Sequence, residues 1–93
     1  MNAHELERYY PGDSSWKDFV DVHRERWDEC TFSDALVSSL NGQEDIAQVV
    51  YSQIGEDAFG WIDRGIMALD GKSPRQCIAE GLVIRLRSML MRM

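Results

Sequence analysis

Apolar residues recur along this chain at helical rather than strand spacing. Trp16, Phe19, Val20, His23 and Trp27 fall at i, i+3, i+4, i+7 and i+11, one stripe that predicts a helix beginning at Asp13 or Ser14. Lys17, Asp18, Asp21, Arg24, Glu25 and Asp28 fill its other faces. A short second helix is predicted over Ser33 to Leu40, with Thr31 as its N-cap, Asp34 in its first turn and Asn41-Gly42 as its stop. Ile46, Val49, Val50 and Ile54 define the inner face of a third helix over Glu44 to Ile54, closed by Gly55. A fourth is expected from Glu56 to about Leu69, because Ala58, Trp61, Ile62, Gly65, Ile66 and Leu69 keep the period, although Gly60 and Gly65 weaken it.

Asp70-Gly71-Lys72 reads as a turn. Ser73-Pro74 then opens a fifth helix: Ser73 as N-cap, Pro74 where its missing N–H is harmless, and Gln76 completing a capping box. Gly81 ends that helix. Residues 82–93 form the last one, with Leu82, Leu86, Met89, Leu90 and Met93 on the inner face and Arg85, Ser88 and Arg92 opposite. No segment alternates with period two. The expected architecture is therefore all-α, a compact bundle of five to six short helices in one domain over residues 1–93. Residues 1–12 are expected as an arm ended by the Pro11-Gly12 turn. Trp61, Gly71, Ser73, Pro74 and Gly81 are read as structural positions, with Trp61 in the core.

Composition agrees with a folded chain: hydrophobic residues make up 44% of it. No apolar run approaches the roughly 20 residues of a membrane span, and Met1 to Glu7 is too polar and acidic for a signal or transit peptide. With Cys30 and Cys77 unpatterned, the expected setting is a reducing cytoplasm with both thiols free. The net charge is −6, which argues against sequence-independent nucleic-acid binding. That charge is unevenly spread: residues 1–70 carry −10 and residues 71–93 carry +4.

Catalytic and cofactor chemistry finds little support. His4, His23, Cys30 and Cys77 lack zinc spacing, and His23 lies on an apolar stripe where a packed, hydrogen-bonded histidine is the simpler reading. Carboxylates are scattered over outward helix positions rather than paired. Cys77, one turn past Ser73, has no neighbouring histidine in sequence and reads as core rather than nucleophile. Gly71-Lys72-Ser73 has Ile66 where a phosphate loop requires glycine, and no strand precedes it. No enzyme, metal or cofactor is expected. The last helix is more suggestive, since Met89, Met91 and Met93 combine adaptable apolar contact with the charge of Arg85, Arg87 and Arg92. The competing reading is a core helix whose outer side carries arginines.

The stretch from about Ile46 to Met91 resembles the toxin-binding domain of bacterial antitoxins of the Xre/MbcA/ParS type. The elements that carry the resemblance are Ile54-Gly55-Glu56-Asp57, Trp61, Leu69-Asp70-Gly71-Lys72-Ser73-Pro74, Cys77-Ile78, Gly81 and Leu86-Met89-Leu90. The most specific of them is the tryptophan followed by the Gly-x-Ser-Pro turn. After Gly81 the register differs, with Arg85 where that family tends to carry an aliphatic residue. The resemblance implies an all-helical domain over residues 46–93, frequent self-association as a homodimer, and a toxin partner. That partner would have an ADP-ribosyltransferase-like fold and consume NAD, its cleft obstructed by the antitoxin's C-terminal part. On this basis Arg85, Arg87, Met89, Met91, Arg92 and Met93 are the expected partner-binding positions. Such antitoxins usually add a helix-turn-helix, but residues 1–45 carry −7 and are a poor DNA-recognition module. The expectation is a non-enzymatic inhibitor that occludes a partner enzyme. Its rival is a phage or mobile-element inhibitor whose acidic surface mimics nucleic acid.

Overall fold

The computed structural model describes residues 3–93, and among them there is no strand. Seven α-helical segments follow in order: α1 (Ala3–Arg8), α2 (Asp13–His23), α3 (Ser33–Ser39), α4 (Glu44–Ile54), α5 (Ala58–Trp61), α6 (Pro74–Ala79) and α7 (Val83–Met91). Single 3-10 turns at Trp27–Glu29, Gly55–Asp57 and Met67–Leu69 join some of them. The result is a compact all-α bundle whose radius of gyration, 12.3 Å, matches the value of about 12 Å expected for a folded chain of this length.

α4 is the axis of the bundle. Every residue from Ile46 to Tyr51 is buried, so the helix is covered on all sides and not only along its Ile46-Val49-Val50 stripe. α2, α3, α5 and α7 pack around it. Trp16 and Val20 cover it from α2, Leu36 and Leu40 belong to α3 and its end, and Leu86 and Leu90 come from α7. Phe32 and Trp27 meet the Tyr51 ring edge-on at 5.7 and 6.3 Å.

Several helix ends follow the turn chemistry of the sequence, although the N-cap of α3 is Phe32, with no side-chain capping bond, and not the expected Thr31. Ser73 Oγ accepts from the Gln76 N–H at 3.1 Å, and the Ser73 N–H donates to Gln76 Oε1, which closes the capping box at α6. Pro74 is buried behind it. Past α6, Gly81 adopts φ 77° while its N–H reaches Ile78 O and the Leu82 N–H reaches Cys77 O. This pair of bonds is the Schellman arrangement, and its left-handed residue explains the glycine. Asn41 fills the same position after α3, with φ 56°.

Four expectations need correction. Residues 3–8 form a helix packed on α7 rather than an arm, because Leu6 supplies an apolar anchor for the core. α2 ends at His23, so the Trp27 end of the stripe lies on a separate 3-10 turn. The helix expected over 56–69 is broken into three short pieces. Gly65 lies so close to the following turn that a Cβ there would stand 2.6 Å from the Gly71 carbonyl oxygen, and the Ile66 N–H bonds Lys72 O. A continuing helix would leave no room for that approach. Trp61 is half-buried, and its neighbour Ile62 takes the core position instead.

Candidate protein-binding surface

The basic excess of residues 71–93 is spent inside the molecule. Lys72 pairs with Glu80 at 2.8 Å, Arg75 with Asp63 at 3.0 Å, Arg85 with Glu7 at 2.8 Å, and Arg87 with Asp45 at 3.2 Å. The asymmetry visible in the sequence thus acts as internal counter-charge; Arg85 and Arg87 are largely covered, whereas the Lys72–Glu80 and Arg75–Asp63 pairs lie at the surface.

Arg85 and Ser88 are buried, where the sequence pattern placed them on the outer side of the last helix. Arg85 retains only 6% of its surface. Its Nε–H and Nη2–H both donate to Glu7 Oε1, at 3.0 and 2.8 Å, which is how a guanidinium is accommodated at an inward position. Met89 is buried in the core, Met91 is half-buried against it, and only Arg92 and Met93 of the expected partner-binding positions lie open. Arg87 is half-buried. Its Nη2–H donates to Asp45 Oδ2, its Nη1–H reaches Tyr10 Oη at 3.2 Å, and its guanidinium lies 5.2 Å from the Trp16 ring centre.

One end of the bundle keeps accessible apolar and cationic groups. Arg92 sits over the Tyr9 ring at 4.7 Å, a cation–π contact. Tyr9 is 53% exposed and Met93 58% exposed. The first helix contributes Glu7 and leads into Tyr9 and Tyr10, none of which the sequence pattern singled out. The Tyr-Tyr pair before Pro11-Gly12 was the available signal for two of them. No local signal reveals the Glu7 pairing, since its partner lies 78 residues away.

A groove of about 510 Å³ is lined by residues of α2 and α4 and by Arg87 of α7, among them Asp13, Trp16, Lys17, Glu44 and Asp45. Its polar groups largely satisfy one another: the Trp16 Nε1–H donates to Asp45 Oδ2 at 2.8 Å, and Gln48 donates to Glu44. From α2 through the following turns to the start of α3, Asp18, Glu25, Asp28 and Asp34 are exposed and make no ion pair among the described residues.

Among the described residues no three His, Cys, Asp or Glu side chains could hold a metal ion. Cys30 and Cys77 are free and buried, and burial pushes both thiols above their ordinary range, away from the thiolate a nucleophile needs. His23 gives its Nδ1–H to Phe19 O at 2.7 Å and packs on the Phe19 ring. Among the described residues no helix is long and apolar enough to cross a membrane. No protein-family model, curated protein or solved structure matches the chain.

Proposed function

We propose that this protein is a non-enzymatic inhibitor that binds a partner enzyme and covers its active site, in the manner of Xre/MbcA/ParS-type antitoxins. By that resemblance the partner is an NAD-consuming toxin with an ADP-ribosyltransferase-like fold. The observation that carries the reading is the exposed Tyr9–Arg92 pair, with Met91 and Met93 flanking Arg92 in sequence. Aromatic, arginine and methionine side chains on an open surface are the groups that anchor protein interfaces. Arg85, Arg87 and Met89 serve this surface from beneath, by fixing α7.

The test is co-expression with the candidate toxin, reading cellular NAD and co-purification. Deleting Met91–Met93 is expected to leave helical circular dichroism nearly intact and weaken the complex at least tenfold, about 1.4 kcal/mol. Arg92→Glu should slow association and change its salt dependence. Charge reversal at Asp18, Asp21 and Glu25 should change little.

The exposed, unpaired carboxylates of Asp18, Glu25, Asp28 and Asp34 favour a second reading, an acidic surface that imitates nucleic acid. It prevails if the reversals at Asp18, Asp21 and Glu25 destroy partner binding and the C-terminal deletion does not.

A further inference from the structure

α7 and the residue after it read the side chains of residues 6–10 one by one. Leu6 is buried in the core, Glu7 takes two hydrogen bonds from Arg85, Tyr9 lies under Arg92, and the Tyr10 hydroxyl accepts from Arg87. Arg85 and Arg92 are seven apart and so share one face of the helix, while Arg87 catches the chain as it crosses toward α2. This arrangement has the parts of a peptide-recognition site: an apolar socket, a carboxylate fork, a cation for an aromatic ring and a donor for a phenol.

The two halves of the site are built differently. In the ion pair, the Arg85 side chain is 7% exposed and the Glu7 side chain 44%. The arginine is fixed by the core, whereas the carboxylate approaches from the surface and is replaceable. α1 has only six residues, far below the ~12–15 that an isolated helix needs to persist in water, so its docking holds it in shape. It is joined to α2 through Pro11 and Gly12, and Gly12 adopts φ 108°, a conformation that only glycine takes easily. Pivoting there would free residues 6–10 while leaving α2 and α4 in contact.

We infer that α7, with Arg92, is a receptor for a short helical segment bearing an apolar residue, an adjacent carboxylate and tyrosines. Residues 6–10 occupy it in cis, and a partner protein carrying a segment of that chemistry binds by displacing them. This deepens the protein-binding reading above, naming both the partner's recognition element and a built-in competitor. A second copy of the chain is the weaker occupant. Its segment must leave an equivalent seat of its own, and an intramolecular ligand acts at an effective concentration near millimolar. Only a segment that fits better than residues 6–10 gains by the exchange.

The experiment uses the full chain and a fluorescent peptide spanning residues 3–12, followed by anisotropy. Glu7→Gln and Tyr9→Ala, both at exposed positions, weaken the cis ligand, and circular dichroism confirms that each variant is folded. Each should bind the peptide at least tenfold more tightly than the wild-type chain does. Adding Arg92→Gln should remove most of that gain, and a peptide with arginine in place of its Glu7 should not bind. In the wild-type chain, saturating peptide should accelerate amide exchange at residues 6–10. Folded variants that bind no tighter than wild type, or that accept the charge-reversed peptide equally, overturn the inference. So does a concentration-dependent dimer that the peptide dissociates, which would assign the site to a second copy. If the variants capture the peptide but the chain never protects cells from the candidate toxin, the inference stands and the proposed function falls.

Discussion

Arg87 and Trp16 share one acceptor. The guanidinium lies 5.2 Å from the indole ring centre, and both side chains donate to Asp45 Oδ2, the indole at 2.8 Å and the arginine at 3.2 Å. The contact ties α7 to α2 through the first turn of α4, so one carboxylate joins three helices.

Removing that carboxylate should cost more than removing the arginine. Asp45→Ala leaves the Arg87 Nη2–H and the buried indole N–H without their acceptor, a loss of about 2–3 kcal/mol, while Arg87 Nη1 keeps Tyr10. Arg87→Met keeps much of the packing on Trp16 and removes the charge that needs a partner, so it should cost about 1 kcal/mol or less. Urea denaturation of both variants checks the order, and equal losses would contradict it.

Two glycines of neighbouring sequence should respond oppositely to alanine. At Gly65 a methyl group would press on the Gly71 backbone oxygen, and the turn must shift, at about 1–3 kcal/mol. At Gly60, an exposed helical position, a Cβ meets nothing within 4 Å, and alanine should stabilise by roughly 0.4–1 kcal/mol. Thermal melts of the two single variants suffice.

The core position of α5 and its end belongs to Ile62 rather than Trp61. Ile62→Ala should cost about 2–5 kcal/mol, as for other fully buried aliphatic truncations. Trp61→Ala should cost less, about 1–2 kcal/mol, since part of its apolar area already faces water. A larger loss at Trp61 than at Ile62 in chemical denaturation would contradict the assignment.

Stability should fall in mild alkali. Loss of solvent pushes the Tyr51 phenol and the Cys30 and Cys77 thiols up from their ordinary values, and Glu56 beside Tyr51 adds to the effect there. All of these groups are protonated in both states at neutral pH, so they give no slope there. Above about pH 8.5 the unfolded chain releases these protons while the folded chain holds them, and the balance moves toward unfolding. The melting temperature should therefore decline from about pH 8.5 to pH 11, and Tyr51→Phe should make the decline shallower. A flat profile over that interval would show that these groups titrate freely.

Much of the fold could be read from local rules. α4 has the bounds that its apolar spacing and Gly55 gave it, and the Ser73–Gln76 capping box forms as written, because both depend on neighbours within one turn. The expected helix over 56–69 failed for a reason periodicity cannot express: Gly65 approaches the carbonyl of a residue six positions later, and the close packing of that turn wins over a continuing apolar stripe. The candidate surface was legible only at its rim. Arg92 is open as expected and Met93, which its spacing placed on the inner face, is open too, but polarity alone assigns an arginine to the outside. Arg85 lies inside because Glu7, at the opposite end of the sequence, meets it there.

The Glu7–Arg85 pair also closes the longest loop in the molecule for which a hydrogen bond is described, 78 residues. Bringing two such distant points together costs roughly 4 kcal/mol of chain entropy before any contact returns it, whereas the capping box and the helical turns close over three or four residues. Closure of α1 onto α7 should therefore come late on the folding pathway, after the rate-limiting step. Substitutions at Glu7 would then leave the folding rate almost untouched and act on the rate of unfolding, which makes this pair a kinetic latch rather than a nucleus.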